Sequence, residues 1–259
     1  MKSIDIREGL SRLIHRLRPD LSIPDALPDL WWLYRSLVNE TMPNSVDDAF
    51  LCLQDETLQM VKNQRDITDA SKLPVVSLDE RISLFQGDIT TLAVDAIVNA
   101  ANEELLGCFI PCHACIDNVI HTFAGTRLRK ACEALMEAQG HDEPVGSAKL
   151  TKGYNLPCSY VLHTVGPRVR GMLTERECAQ LAACYESCLQ LAAAHHVDTI
   201  AFCCISTGVY RFPKPEAAKI AVQTVLRYLH AYPKSVQKVV FTVYEEIDYR
   251  LYHELLGGN

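Results

Sequence analysis

Leu10, Leu13, Ile14 and Leu17 recur at the i, i+3, i+4, i+7 spacing of an amphipathic helix, and Pro19, Pro24 and Pro28 then interrupt the pattern. Asp29 is placed to cap a second helix. Ser45 with Asp48 reads as a capping box that opens a third through Phe50, Leu53, Leu58 and Val61. The pair Trp31-Trp32 reads as packing for this segment. Residues 1–72 are thus expected to form a helical extension that carries no chemical motif of its own.

Beyond residue 73 short β-branched runs alternate with longer amphipathic stretches, the pattern of βαβ units and a mainly parallel sheet. Strands are expected at 82–85, 96–99, 148–151, 160–165, 199–204 and 238–243. Helices are expected at 116–139, ending at Gly140, and at 175–195, 215–231 and 248–256. In an open α/β sheet, ligands bind outside the carboxyl ends of the strands. The polar loops fall there: Gln86-Gly87-Asp88-Ile89-Thr90, Asn99 to Asn102, and Ser206-Thr207-Gly208-Val209-Tyr210.

Composition narrows the classes. With 259 residues the chain can bury a core without covalent staples, and no apolar run approaches the roughly 20 residues of a membrane span. Acidic residues in the first eight positions argue against a secretory leader, so a cytoplasmic location is expected. The formal charge of −7 offers no footprint for nucleic acid, and a phosphate-bearing ligand must be held by local backbone dipoles. The 11 cysteines, an odd number, do not suggest a disulfide framework, and most read as small reduced core residues.

Three of those cysteines differ from the rest. Gly107-Cys108-Phe109-Ile110-Pro111-Cys112-His113-Ala114-Cys115 follows the 99–102 loop directly, and Cys108, His113 and Cys115 form Cys-x4-His-x-Cys. Two thiolates and an imidazole at that spacing can wrap one loop around a soft tetrahedral ion such as zinc, leaving the fourth position to water or substrate. No serine or cysteine nucleophile paired with a base is evident, which disfavours a covalent route.

Five blocks, in order, resemble the macrodomain family of ADP-ribose-binding proteins: Gly87-Asp88-Ile89-Thr90, residues 94–102 (Val-Asp-Ala-Ile-Val-Asn-Ala-Ala-Asn), Ile120-His121 with Ala124-Gly125, His163-Thr164-Val165-Gly166-Pro167, and residues 205–213 (Ile-Ser-Thr-Gly-Val-Tyr-Arg-Phe-Pro). Most relatives carry a glycine-rich loop between the second and third blocks. The cysteine-bearing loop that stands there instead, together with the helical extension, is similar to the zinc-dependent macrodomains, a microbial branch that removes ADP-ribose from modified proteins.

That resemblance implies an α/β fold, a three-layer α/β/α macrodomain sandwich with a mixed, roughly six-stranded sheet over residues 73–259, behind the extension 1–72. It implies one Zn2+ per chain on Cys108, His113 and Cys115, with Cys112 outside the ligand set. Asp88 would accept the adenine amino group and Ile89 support the ring. Asn102 would orient the distal ribose, Ser206, Thr207, Gly208, Val209 and Tyr210 would cradle the diphosphate, and Phe212 would pack on the ribose. Cys108 would also line the ligand, while Asn102 and Asp117 are the candidates for catalysis, although the metal could take over the task of Asp117. His121 and His163 belong to the family pattern and read as packing beside the site. The implied function is zinc-dependent, glycosidase-type removal of mono-ADP-ribose from protein side chains, opposite a sirtuin-like ADP-ribosyltransferase. The other two readings are an ADP-ribose reader with a structural zinc and an esterase acting on O-acyl-ADP-ribose.

Overall fold

A computed structural model describes residues 5–258. Residues 1–4, on which part of the leader argument rests, lie outside the described residues. The extension comprises α1 (Ile6–Leu17), α2 (Leu27–Glu40) and α3 (Asp48–Asn63). Leu10, Leu13 and Ile14 are fully buried against Leu30, Tyr34, Phe50 and Leu58, so the first helix hides the stripe its periodicity defines.

Two of the expected caps are displaced. Ala26, not Asp29, is the cap residue of α2; Pro28 pre-sets the first turn and Asp29 lies within it. The third helix is capped by Asp47, whose carboxylate accepts from the Phe50 N–H at 2.8 Å. Ser45 instead belongs to the 3-10 turn Pro43–Ser45. The capping oxygen must reach an amide three residues ahead, and the preceding turn leaves only Asp47 at that distance.

The main layer is a sheet of β2 (Ile82–Gln86), β4 (Ala96–Ala101), β5 (Ala148–Lys152), β6 (Tyr160–Val165), β7 (Thr199–Phe202) and β8 (Lys238–Val243), in spatial order β2-β8-β7-β4-β6-β5. All pairings are parallel except β5 with β6. Two short strands, β1 (Thr68–Asp69) and β3 (Leu92–Ala93), pair in parallel beside it. Strand β7 stops at Phe202, two residues before its apolar run ends, because the chain turns there into the 203–212 loop. Strands β4 and β8 lie inside the sheet and are buried along nearly their whole length, hence the runs Ala96-Ile97-Val98 and Val239-Val240-Phe241.

One face of the sheet carries α6 (Glu175–Ala194), α7 (Lys214–Ala231) and α8 (Glu246–Leu255), which pack side by side. The other carries α4 (Ile116–Ala124) and α5 (Thr126–Gln139), against which α2 docks. The expected α/β/α sandwich with a mixed six-stranded sheet is therefore the observed one. The single helix expected over 116–139 is in fact two. Gly125 breaks it at φ 89°, a conformation that side chains with a Cβ rarely adopt, and the freed Thr126 N–H donates to Gln54 Oε1 of α3 at 2.7 Å. Apolar periodicity runs across the break and conceals it. Among the described residues no helix is long and apolar enough to cross a membrane.

Candidate active site

The loops that follow β2, β4, β6 and β7 emerge at the carboxyl edge of the sheet, where parallel α/β folds place their ligands. From β2 to β4 there are three strand spacings, about 14 Å. Asp88 therefore stands well to one side of Asn102, and the 206–210 loop rises between them.

The loop after β4 brings its three candidate ligands together. One donor atom from each of Cys108, His113 and Cys115 lies within 4.8 Å of the others, and Cys108 Sγ is 3.5 Å from His113 Nδ1. Sulfur and nitrogen ligands bound at about 2.3 and 2.0 Å to one tetrahedral ion sit about 3.5 Å apart. The donor set and its spacing thus fit zinc. Cys115 caps α4, its sulfur accepting the Asn118 N–H at 3.4 Å, so the positive end of a helix dipole faces the group. Burial, and to a smaller degree the neighbouring Cys108, pushes the Cys115 thiol up to about 12. A divalent cation removes that difficulty by neutralising both sulfurs. Cys112 turns away at φ 53°, with its sulfur 3.4 Å from the Trp32 carbonyl oxygen.

Asp88 is half-buried and tightly engaged. One oxygen accepts from the Thr90 N–H at 2.8 Å and the Thr90 hydroxyl at 2.7 Å; the other accepts from Arg65 Nη2 at 2.6 Å. A carboxylate has about four acceptor positions, so roughly one is left for an amino group. Ile89 follows in the 3-10 turn Ile89–Thr91, its side chain buried in the main core.

In the 206–210 loop, internal bonds use the N–H groups of Thr207, Arg211 and Phe212; those of Gly208, Val209 and Tyr210 meet no backbone acceptor among the described residues. Successive free amides on an exposed turn form an anion-binding concavity. Ser206 adopts φ 65°, and its buried hydroxyl has no hydrogen-bond partner. Strain and an orphaned hydroxyl together mark this turn as shaped for something other than its own stability. Asn102 is similar: its Oδ1 is buried without a partner, while Nδ2 lies 3.5 Å from the Gly107 carbonyl oxygen.

Two expected site residues face inward. Asp117 is 5% exposed, and its carboxylate accepts from Asn99 Nδ2 at 2.8 Å; burial raises it to about 6 against the opposing pull of Asn99 and Arg129. It turns toward the sheet because α4 lies flat on β4, so in this geometry it orients the Asn99 amide. Phe212 is 2% exposed and sits in the main core, its ring given to packing. Its N–H closes the loop on the Ser206 carbonyl at 3.0 Å.

A second grouping, His121 with Cys132 and His163, also lies within 4.8 Å, fully enclosed. His163 has both nitrogens engaged, 3.2 Å from Asn99 Nδ2 and 2.9 Å from the Thr151 hydroxyl, and burial lowers it to about 3. This pattern is that of a neutral core histidine. Trp31 stacks on Phe123, whereas Trp32 is 52% exposed, with the Arg35 guanidinium 5.5 Å from its ring centre.

Pattern reading along the chain does not find Arg35, Asn39, Arg65 and Arg129. Arg65 follows α3 and grips Asp88 from 23 residues away, its guanidinium 3.9 Å over the Phe123 ring. Arg129 donates to the carbonyl oxygens of Val38, Asn39 and Thr41 and lies 4.4 Å over the Phe109 ring of the 108–115 loop. No local signal marks such residues, since each looks like an ordinary surface polar residue until the extension docks.

The Macro domain family matches residues 98–221. The chain is 51% identical over 239 residues to a protein-ADP-ribose hydrolase of Treponema medium, covering 92% of this chain and 91% of that one. It is 48% identical over 251 residues to a protein-ADP-ribose hydrolase of Staphylococcus aureus (strain MSSA476), covering 95% and 93%. Its fold is similar to the crystal structure of a Trypanosoma brucei macrodomain in complex with ADP-ribose, with a TM-score of 0.67 and 29% identity over 86% of this chain and 95% of that one.

Proposed function

The chain belongs to the macrodomain family, and from that membership we propose that it is a zinc-dependent hydrolase that releases mono-ADP-ribose from modified protein side chains. One observation carries the metal part of this reading: three zinc-competent donor atoms converge within 4.8 Å on the loop that directly follows Asn102. The 91% and 93% coverage of relatives named protein-ADP-ribose hydrolase supports the reaction class.

The chain's own residues divide the work by position. Asp88 offers its remaining lone pair to the adenine amino group, with Arg65 holding the carboxylate in place. The free N–H groups of Gly208, Val209 and Tyr210 take the diphosphate oxygens, which explains how an acidic protein binds an anion. The orphaned Asn102 Oδ1 accepts a hydroxyl of the distal ribose and turns its C1 toward the 108–115 loop. Cys108, His113 and Cys115 would hold a zinc ion there, which when bound would supply a Lewis acid able to lower the pKa of a water toward about 7. Cleavage adds one water across the bond between C1 and the side chain, through an oxocarbenium-like state, giving free ADP-ribose and the unmodified residue. Placement of the sugar by Asn102, itself beside the Asp117–Asn99 pair, then matters as much as acid help. The substrate is the product of a protein ADP-ribosyltransferase, and a sirtuin-like enzyme is the proposed counterpart.

The test is release of ADP-ribose from a mono-ADP-ribosylated protein by the purified chain. About one zinc per chain is expected, with release lost on chelation and restored by Zn2+. Full activity after chelation refutes the metal's role. Tight binding of free ADP-ribose without any release selects the reader function, and turnover of the O-acyl ester alone selects the esterase.

The diphosphate cradle has its own test at the end of β6. A Cβ on Gly166 would lie 2.0 Å from Ser206 Oγ and 2.8 Å from the Ile205 side chain. Gly166→Ala is therefore expected to push the Ser206 turn out of place and weaken ADP-ribose binding about tenfold, or ~1.4 kcal/mol, in a calorimetric titration. Unchanged affinity in the folded variant removes this loop from the binding site.

A further inference from the structure

We propose that Arg35, on the second helix of the extension, and Asn118 are a positioning pair that shapes the 108–115 loop for its metal ion, an inference that rests on the zinc reading above. Asn118 is fully buried in the first turn of α4. Its Oδ1 accepts from Arg35 Nη2 at 2.8 Å and from Nε at 3.2 Å. Its Nδ2 donates to the carbonyl oxygens of Ile110 at 3.0 Å and Cys108 at 3.3 Å, and its N–H donates to Cys115 Sγ. Arg35 Nη2 also donates to the His113 carbonyl oxygen at 2.8 Å. The Asn118 side-chain amide and the Arg35 guanidinium therefore hold the backbone at Cys108 and His113, while the Asn118 backbone N–H holds the sulfur of Cys115.

The loop needs this support. Its own backbone supplies one bond, from the His113 N–H to the Ile110 carbonyl at 3.2 Å, and Cys112 is held in the left-handed region. Asn39, also on α2, fixes that strained residue by accepting its N–H at 2.9 Å, while its amide donates to the Thr122 hydroxyl at 3.0 Å. A metal that must order a free loop binds more weakly than one that enters a formed site, and groups behind the ligands typically set affinity by 10- to 100-fold. The helical extension is thus part of the metal centre, although it contributes no ligand.

The experiment measures zinc affinity by competition with a chromophoric chelator, and the absorption of the cobalt-substituted protein, on the full chain and on Arg35→Ala, Arg35→Lys and Asn118→Asp. Arg35→Ala is expected to weaken zinc binding about 10- to 100-fold and to alter the cobalt d–d bands. Arg35→Lys is expected to recover only a minor part, because an ammonium cannot bridge Asn118 and His113 as a planar fork does. Asn118→Asp keeps the Arg35 contact but loses the donors to Cys108 and Ile110, so it should also bind zinc more weakly. A role confined to holding the extension in place would lower the melting temperature and leave the zinc affinity and cobalt spectrum native. Variants that fold and bind zinc within about twofold of the native chain, with native cobalt spectra, overturn the assignment; if Arg35→Ala fails to fold, the same result for Arg35→Lys does so. A native chain that binds no zinc instead overturns the metal reading, and this inference with it.

Discussion

Cys108→Ala is expected to lose its bound zinc and to lower ADP-ribose release by at least about 100-fold, since a Lewis acid contributes several kcal/mol to such a transition state and each ~1.4 kcal/mol is a factor of ten. Fold and melting temperature should change little. The main core runs through the sheet and α4–α8, and Cys108 does not belong to it. The internal control is Cys112→Ala, four residues on: its sulfur points to the Trp32 carbonyl oxygen and away from the ligand trio, so zinc content and turnover should stay within about twofold of native. Metal analysis beside the release assay reads both variants. Native turnover in Cys108→Ala would remove the metal from the reaction, and equal loss in both would mean that the loop's packing, not its ligands, was being measured.

Arg129→Ala should produce the largest loss of stability of any single substitution named here. Arg129 is 3% exposed, and one of its nitrogens donates to the carbonyl oxygens of Val38, Asn39 and Thr41 at the C-terminal end of α2, the Val38 oxygen also accepting the Thr41 N–H at 3.3 Å. Burial lowers this guanidinium to about 10, which still leaves it charged at neutral pH. Truncation strands buried carbonyls, a penalty of about 1–3 kcal/mol for each fully orphaned group. Because the exposed end of a helix can recruit water, a total of about 3 kcal/mol is expected, or roughly 6–12 °C in melting temperature. Arg129→Lys should recover part of this, since an ammonium still donates to carbonyls but loses the planar stack on Phe109. A melting point for Arg129→Ala within about 2 °C of native would show that α2 is held by its apolar face alone.

The second prediction concerns the seam between the extension and the sandwich, where the linear pattern of residues carried least information. The six strands of the main sheet were legible to within two residues because a strand buried on both faces demands a run of β-branched and aromatic residues, as in Val239–Val243, whereas the two-residue strands β1 and β3 are too short to carry any such pattern. The helices over the far face were legible for the same kind of reason. The break at Gly125 was not, because apolar spacing carries through it and only a left-handed φ and the approach of Gln54 make the residue a stop. The caps were misassigned where several acidic or hydroxyl residues competed and local turn geometry decided between them, as with Asp47 over Ser45.

Within the candidate site, the ligand trio was readable because its members lie within eight positions of one another, so chain geometry alone brings them close. The inward aim of Asp117 was not readable, since its residue type and position fit a carboxylate facing solvent as well as one facing Asn99.

Short-range order, then, is what the amino-acid sequence determined unaided: the strand and helix runs, the loops that meet at one edge of the sheet, and a Cys-His-Cys set suited to zinc. Tertiary structure alone decided that Arg65 would grip Asp88, that Arg35 would reach Asn118 across 83 positions, and that Arg129 would close the end of α2. Periodicity and spacing act between neighbours in the chain, where backbone geometry leaves few alternatives. Contacts between distant surface cations and their partners exist only after two cores have formed and docked, and many arginines along the chain could have made them equally well.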